Sequence, residues 1–149
     1  MPPRTKKPPS EPKHTPEQAA EFSRRGKKSR NKGAGFEREV ATELRDPYPK
    51  AKRGLGQARA AGEVPDVEGT PYWLELKCYA TAINVRAVMA QAEQAAAEHA
   101  VREGLPARLP VVIARKTGMR PDLVTMRMAD WLALVRRVAE LEDALELLG

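Results

Sequence analysis

The chain has 149 residues, the length of one ordinary domain with room for a tail. Its single cysteine, Cys78, excludes a disulfide framework within the chain and suits a reducing compartment. No apolar run approaches the roughly 18–20 residues of a membrane span, and the charged opening MPPRTKKPPSEPKH has no apolar segment after it, so neither a membrane helix nor a signal peptide is expected. The formal charge of +6 is unevenly placed: residues 1–32 hold 10 Lys and Arg against 3 Asp and Glu, while residues 33–149 hold 16 against 17.

Six of the 13 prolines fall within residues 1–16. With almost no apolar content, residues 1–14 cannot offset the entropy of ordering and are expected to be disordered. A helix starts at Thr15, where Pro16 fits the first helical position and Gln18 completes a T-x-x-Q capping box. This short helix is expected to end at Gly26. Six basic residues crowd between Arg24 and Lys32. They read as a phosphate-contacting arm, with Lys27, Lys28, Arg30 and Lys32 as its DNA-binding residues; a solubilising tail or a targeting address is the plainer alternative.

Next, GFEREVATELRD reads as an amphipathic helix opening at Gly33 and Gly35, with Phe36, Val40 and Leu44 on one stripe and Pro47 and Pro49 beyond its end. Residues 50–62 are glycine-rich and basic, with weak strand character. Val64–Glu68 is short and extended, Gly69-Thr70-Pro71 turns, and Tyr72–Tyr79 alternates as a strand. Thr81 or Asn84 caps a helix over about 85–103, which Gly104 and Pro106 end. Leu109–Arg115 is a buried strand, Asp122–Met128 another, and Asp130 caps a final helix to Leu148. This order gives an α/β fold with a mixed sheet flanked by helices.

The chemistry concentrates in VPDVEGTPYWLELKC. Strand alternation sends Tyr72, Leu74, Leu76 and Cys78 to a core face, and Trp73, Glu75 and Lys77 to the other. A hairpin with the preceding segment brings Asp66 toward Glu75. Two carboxylates and a backbone carbonyl make a hard-oxygen site suited to Mg²⁺ or Mn²⁺, and a neighbouring lysine can orient water or stabilise developing phosphorane charge. E-x-K alone arises by chance in about every second chain of this length, so the weight rests on its combination with P-D, a turn and a preceding acidic helix. Trp73 shares the Glu75 face and is expected to pack beneath a helix. His14 and His99 have no metal or triad spacing.

Pro65-Asp66 followed by Glu75-Leu76-Lys77 resembles the PD-(D/E)xK nuclease superfamily, and Lys32–Arg45, KGAGFEREVATELR, resembles the opening helix of archaeal-type Holliday junction resolvases and related phage nucleases. The resemblance spans about residues 32–130 and implies a restriction-endonuclease-like α-β-β-β-α-β core. It implies Asp66, Glu75 and the Leu76 carbonyl as metal ligands and Lys77 as the catalytic lysine. Glu37 would be the helical acid, ahead of Glu39, and a glutamine on the next helix would be Gln91 in preference to Gln94. The loop before Asp66 lacks a serine found in some resolvases. Arg53 and Arg59 stand there instead, as phosphate contacts or as part of a solvated charge run. The organisation expected is a basic Pro-rich arm over 1–32, a nuclease core over 33–130 and an amphipathic helix over 131–149. The implied activity is Mg²⁺-dependent DNA endonuclease, with branched or junction DNA among the substrates, in the cytoplasm of a bacterial or phage-infected cell. The rival is a non-catalytic DNA-binding or assembly protein that keeps the fold. An RNA-binding role is disfavoured because Phe22 is the arm's only aromatic residue.

In the last helix Trp131, Val138 and Leu145 lie seven apart, as do Leu134, Leu141 and Leu148. Such an a/d stripe either packs on the chain's own sheet or forms a homodimer seam, and Arg137 and Glu142 could pair between parallel helices.

Overall fold

The computed structural model describes residues 15–55 and 62–148. The elements in chain order are α1 (Pro16–Glu43), β1 (Lys52–Arg53), β2 (Val67–Glu68), β3 (Tyr72–Tyr79), α2 (Val85–Glu103), β4 (Leu109–Lys116), β5 (Leu123–Thr125) and α3 (Met128–Glu146). The strands form one open mixed sheet in the order β1-β2-β3-β4-β5. All neighbours are antiparallel except β3 and β4, the parallel pair that α2 connects. The protein is therefore α/β, and its helices and strands follow the expected sequence. No helix among the described residues is long and apolar enough to cross a membrane. The expected disorder of residues 1–14, and Arg59, lie outside the described residues.

The chain separates into two units, residues 1–32 and 33–149. In the first, the capping box forms as read: the Thr15 amide donates to Gln18 Oε1 at 3.0 Å, and the Gln18 amide donates to Thr15 Oγ1 at 3.3 Å. The expected stop at Gly26 and fresh start at Gly33 do not occur, because α1 runs unbroken to Glu43. Each glycine costs a helix only about 1 kcal/mol relative to alanine, and the residues between are mostly strong helix formers with no proline among them.

In the second unit the sheet is covered on both faces. Phe36, Val40 and Ala41 of α1 pack on Val67, Leu74, Leu76 and Val111. On the other face Trp73 and Val112 are buried against Met89, Ala92, Ala95 and Ala96 of α2. Trp73 thus packs beneath a helix, edge-on to His99 with ring centroids 5.3 Å apart. Asn84 rather than Thr81 caps α2, accepting from the Ala87 amide at 3.1 Å, and Gly104 closes it in the left-handed region. The β2–β3 turn depends on Gly69, whose φ is +81° and whose missing side chain leaves room for the Lys50 carbonyl.

Three boundaries differ from the sequence reading. The extended segment from Val64 becomes a regular strand only at Val67–Glu68. Strand β5 is three residues long, since Asp122 is engaged by Arg115 and Met126 turns toward the α1 core. Helix α3 starts before Asp130, with Arg127 at the cap position and Asp130 in the first turn, where the helix dipole favours a carboxylate. Of the two readings of the α3 stripe, packing on the chain's own sheet gains no support, since no residue of α3 is buried.

Candidate active site

Strand β2 starts only at Val67, and the site is built on the β3 edge left exposed before it. Its last backbone link to β3 is the Asp66 amide, which donates to the Leu74 carbonyl at 2.9 Å. One step farther along β3 no backbone partner follows, and the side chain of Asp66 takes that place: its Oδ2 accepts from the Leu76 amide at 2.7 Å. The amide and carbonyl of one strand residue point to the same side. The Leu76 carbonyl therefore shares this edge with the Asp66 carboxylate.

Asp66 is held from the other side by the Gly54 amide, which donates to its carbonyl at 2.8 Å. A Cβ on Gly54 would stand 2.1 Å from the Pro65 carbonyl oxygen, so only glycine permits this approach. Gly54→Ala is expected to push Pro65 and Asp66 off the β3 edge and destabilise the fold by about 1–3 kcal/mol, which thermal unfolding measures. Pro65 itself is fully buried.

Around this edge lies a cleft of about 330 Å³ lined by Glu37, Arg53, Asp66, Glu75, Lys77 and Gln91, with residues 62–65 as its loop wall. Glu37 comes from α1, one position after the buried Phe36, and is ion-paired with Arg53 of β1. Glu75 and Lys77 alternate onto the same face of β3 and pair at 2.5 Å, with Glu75 the more buried of the two. Gln91 comes from the α2 side. Gln94 instead donates to Glu98 at 2.8 Å on the helix surface. Glu39 is turned away from the cleft: it accepts from Arg115 at 2.6 Å and from Arg120, and these guanidinium groups hold its carboxyl down at about 2. Arg115 also grips Asp122 with two bonds and stacks over Phe36, tying α1 to the β4–β5 turn.

Three carboxylates thus face two cations. Asp66 is pushed up from its ordinary 3.8 to about 6, first by burial and then by the charges of Glu75 and Glu37, against the opposing pull of the Leu76 amide and Lys77. A carboxylate in this position is relieved by added positive charge. Among the described residues no group of three or more His, Cys, Asp or Glu forms a ready metal cage. The oxygen donors that line the cleft include the Asp66 and Glu75 carboxylates and the Leu76 backbone between them, hard oxygens of the kind Mg²⁺ and Mn²⁺ take.

Some of this was not foreseen from the sequence. Gly54 stood out only as one glycine in a glycine-rich stretch. Arg102, whose guanidinium donates to the Glu63 carbonyl at 3.0 Å and so braces the cleft loop, gave no signal at all. Lys27, Lys28 and Lys32, by contrast, line a shallow depression on the first unit together with Arg24 and Asn31, and Arg30 is exposed on the same helix. No family model matches the chain, and no curated protein or solved structure does either.

Proposed function

We propose that this protein is a Mg²⁺-dependent DNA endonuclease with a restriction-endonuclease-like core of the PD-(D/E)xK type. The observation that carries the reading is the meeting of Asp66, Glu75, the Leu76 edge and Lys77 in one polar cleft. The donor set fits a hard divalent cation, with Asp66, Glu75 and the Leu76 carbonyl as the residues that would hold it. When bound, Mg²⁺ supplies charge neutralisation at the scissile phosphate and a more acidic water.

The chain's own groups account for the rest. Glu75 holds the Lys77 ammonium beside the carboxylates. There it donates to the attacking water or to the phosphate oxygen on which charge develops. Water adds in line to phosphorus as the bridging P–O bond breaks, and a proton passes to the departing oxygen. Arg53 offers its guanidinium to a neighbouring phosphate, and the Gln91 amide orients water or substrate from the α2 side. Lys27, Lys28, Arg30 and Lys32 supply sequence-independent backbone contacts, which suits DNA recognised by shape, junctions included.

The rival is a binding or assembly protein without turnover. A module that only bound DNA would have no use for two carboxylates crowded at a buried edge beside a lysine. Calorimetric titration with Mn²⁺ separates the two. The nuclease reading expects one saturable site that disappears in Asp66→Asn, and equal weak binding by both proteins would sink it. A second expectation concerns the basic helix. Replacing Lys27, Lys28, Arg30 and Lys32 with glutamine is expected to flatten the dependence of log affinity on log salt by about 0.9 for each phosphate no longer neutralised. An unchanged slope would remove these residues from the interface.

A further inference from the structure

Residues 33–149 are nearly neutral as a whole, yet one cavity among them gathers positive groups. Its volume is about 560 Å³, and it is lined by Lys50 and Lys52 around the start of β1, His99 near the end of α2 and Arg108 just before β4. The carboxylate in its lining, Glu68, is engaged by Lys52 at 3.5 Å. Arg108 decides what the cavity is for. Three arginines are half-buried among the described residues. Arg53 is paired with Glu37, and Arg115 with Glu39 and Asp122. Arg108 has neither an ion pair nor a hydrogen bond among the described residues, and the Lys50 ammonium has none either. A guanidinium taken partly out of water without a partner carries a free-energy cost that a bound anion offsets.

The fold holds this cavity in shape. His99 packs edge-on against the buried Trp73, with ring centroids 5.3 Å apart, and its imidazole has a nitrogen to donate whether the ring is neutral or charged. The backbone of Lys50 lies against Gly69, where a Cβ would stand 2.2 Å from the Lys50 carbonyl oxygen. Val64 and Pro65 line both this cavity and the candidate cleft, so one stretch of chain separates the two. We infer that the cavity binds a backbone phosphate of DNA close to the one that is cut. The placing of that phosphate rests on the nuclease reading of the cleft. Cavities on the two sides of one segment have centres on the order of 10 Å apart, twice the spacing of neighbouring strands. That span covers about three nucleotide steps of one strand at about 3.4 Å each.

The lining selects a phosphodiester. Three cations and an imidazole stand against one carboxylate that is already paired, an excess suited to a compact anion rich in oxygen. Arg108 can meet two phosphate oxygens at once, and Lys50 adds a point charge. Val64 and Pro65 are the apolar residues of the lining, which leaves a base little to stack on, so the contact is with the backbone and carries no sequence information. Free phosphate presents the same oxygens, and the experiment separates the two sources.

Affinity for a labelled duplex is measured across a range of salt, in EDTA, for the full chain as wild type, Arg108→Gln, Lys50→Gln and Arg136→Gln, the last an equal loss of charge on α3. Each cavity variant is expected to bind about tenfold more weakly and to lose about 0.9 from the slope of log affinity against log salt, while Arg136→Gln follows wild type. Thermal unfolding is expected to stay at the wild-type temperature in Arg108→Gln, because its guanidinium has no partner in the protein to lose; exposed Lys50 is the second variant should it fall. A neutral methylphosphonate walked along one strand is expected to weaken wild type at a position where Arg108→Gln is indifferent to it. Equal salt slopes in all four proteins, or the same methylphosphonate penalties in wild type and Arg108→Gln, would overturn the inference. So would calorimetry in which inorganic phosphate binds wild type saturably at micromolar concentration while the slopes stay equal, which would give the cavity to a free anion. Smaller slopes in a protein that cuts no DNA would keep the phosphate contact and refute the nuclease reading; equal slopes in a protein that cuts would do the reverse. A wild type that binds no DNA at any salt, with or without Mg²⁺, would overturn both.

Discussion

Replacing Lys77 with alanine is expected to lower Mg²⁺-dependent DNA cleavage by about a thousandfold or more while leaving the fold and metal binding in place. Lys77 is about one-third exposed and packs into no core cluster, so its removal creates no cavity. What disappears is a cation 2.5 Å from Glu75, the group that in the proposed mechanism meets the charge developing on the phosphate. Glu75→Gln is expected to lose as much activity for a different reason. It removes a hard anionic donor and loosens the lysine as well, so metal affinity falls together with turnover. Single-turnover cleavage and Mn²⁺ calorimetry on both variants distinguish these outcomes. Full activity in Glu75→Gln with Mg²⁺ as the sole metal would refute the assignment of the site.

The second large effect is on stability and concerns Asp66. Its carboxyl titrates near 6 in the folded protein and at 3.8 ordinarily. Below 3.8 both states are protonated and nothing distinguishes them. Between 3.8 and 6 the folded protein keeps a proton that the unfolded chain has lost, so stability falls as pH rises through this window. At about 1.36 kcal/mol per pK unit the loss amounts to about 2–3 kcal/mol above pH 6. Asp66→Asn keeps an oxygen for the Leu76 amide and never ionises. In metal-free buffer its stability relative to wild type is therefore expected to be near zero at pH 4 and about 2–3 kcal/mol higher at pH 7.5. Adding Mg²⁺ should narrow that gap, because the cation stabilises only the protein that binds it. The carboxylates held low by arginines, Glu39 and Asp122, act in the opposite sense but are common to both proteins and cancel in the comparison. Denaturant unfolding at the two pH values measures it, and an Asn variant less stable than wild type at pH 7.5 would contradict the role given to burial.

The parts of the fold that were legible in the sequence are those where local chemistry and packing agree. Tyr72–Tyr79 alternates because Leu74 and Leu76 face the α1 core while Glu75 and Lys77 face the polar cleft, and Asn84 and Gly104 bracket α2 with caps that such residues favour. The helix from Pro16 to Glu43 was not legible as one element, because three glycines and a basic run suggest a break that the surrounding helix formers override. Within the cleft, Asp66, Glu75 and Lys77 follow from strand periodicity. The contacts that fix Asp66 in space depend on a loop whose course no periodicity describes: the Gly54 approach, the Leu76 amide and the Arg102 brace. Arg115 is a further case. It stands in a strand that reads as buried, and its partners Glu39 and Asp122 lie 76 residues before and 7 after it. Likewise, periodicity showed that α3 has an apolar stripe but not whether its own sheet would cover it.

The most direct measurement of the central claim is cleavage of end-labelled four-way junction, flap and linear duplex DNA by the wild-type protein, set beside Asp66→Asn. Discrete products are expected on at least one substrate with Mg²⁺ or Mn²⁺, none in EDTA, and none from Asp66→Asn under any condition. Wild-type protein that binds these DNAs yet leaves all of them uncut with either metal, or an Asp66→Asn protein that cuts as well as wild type, would contradict it.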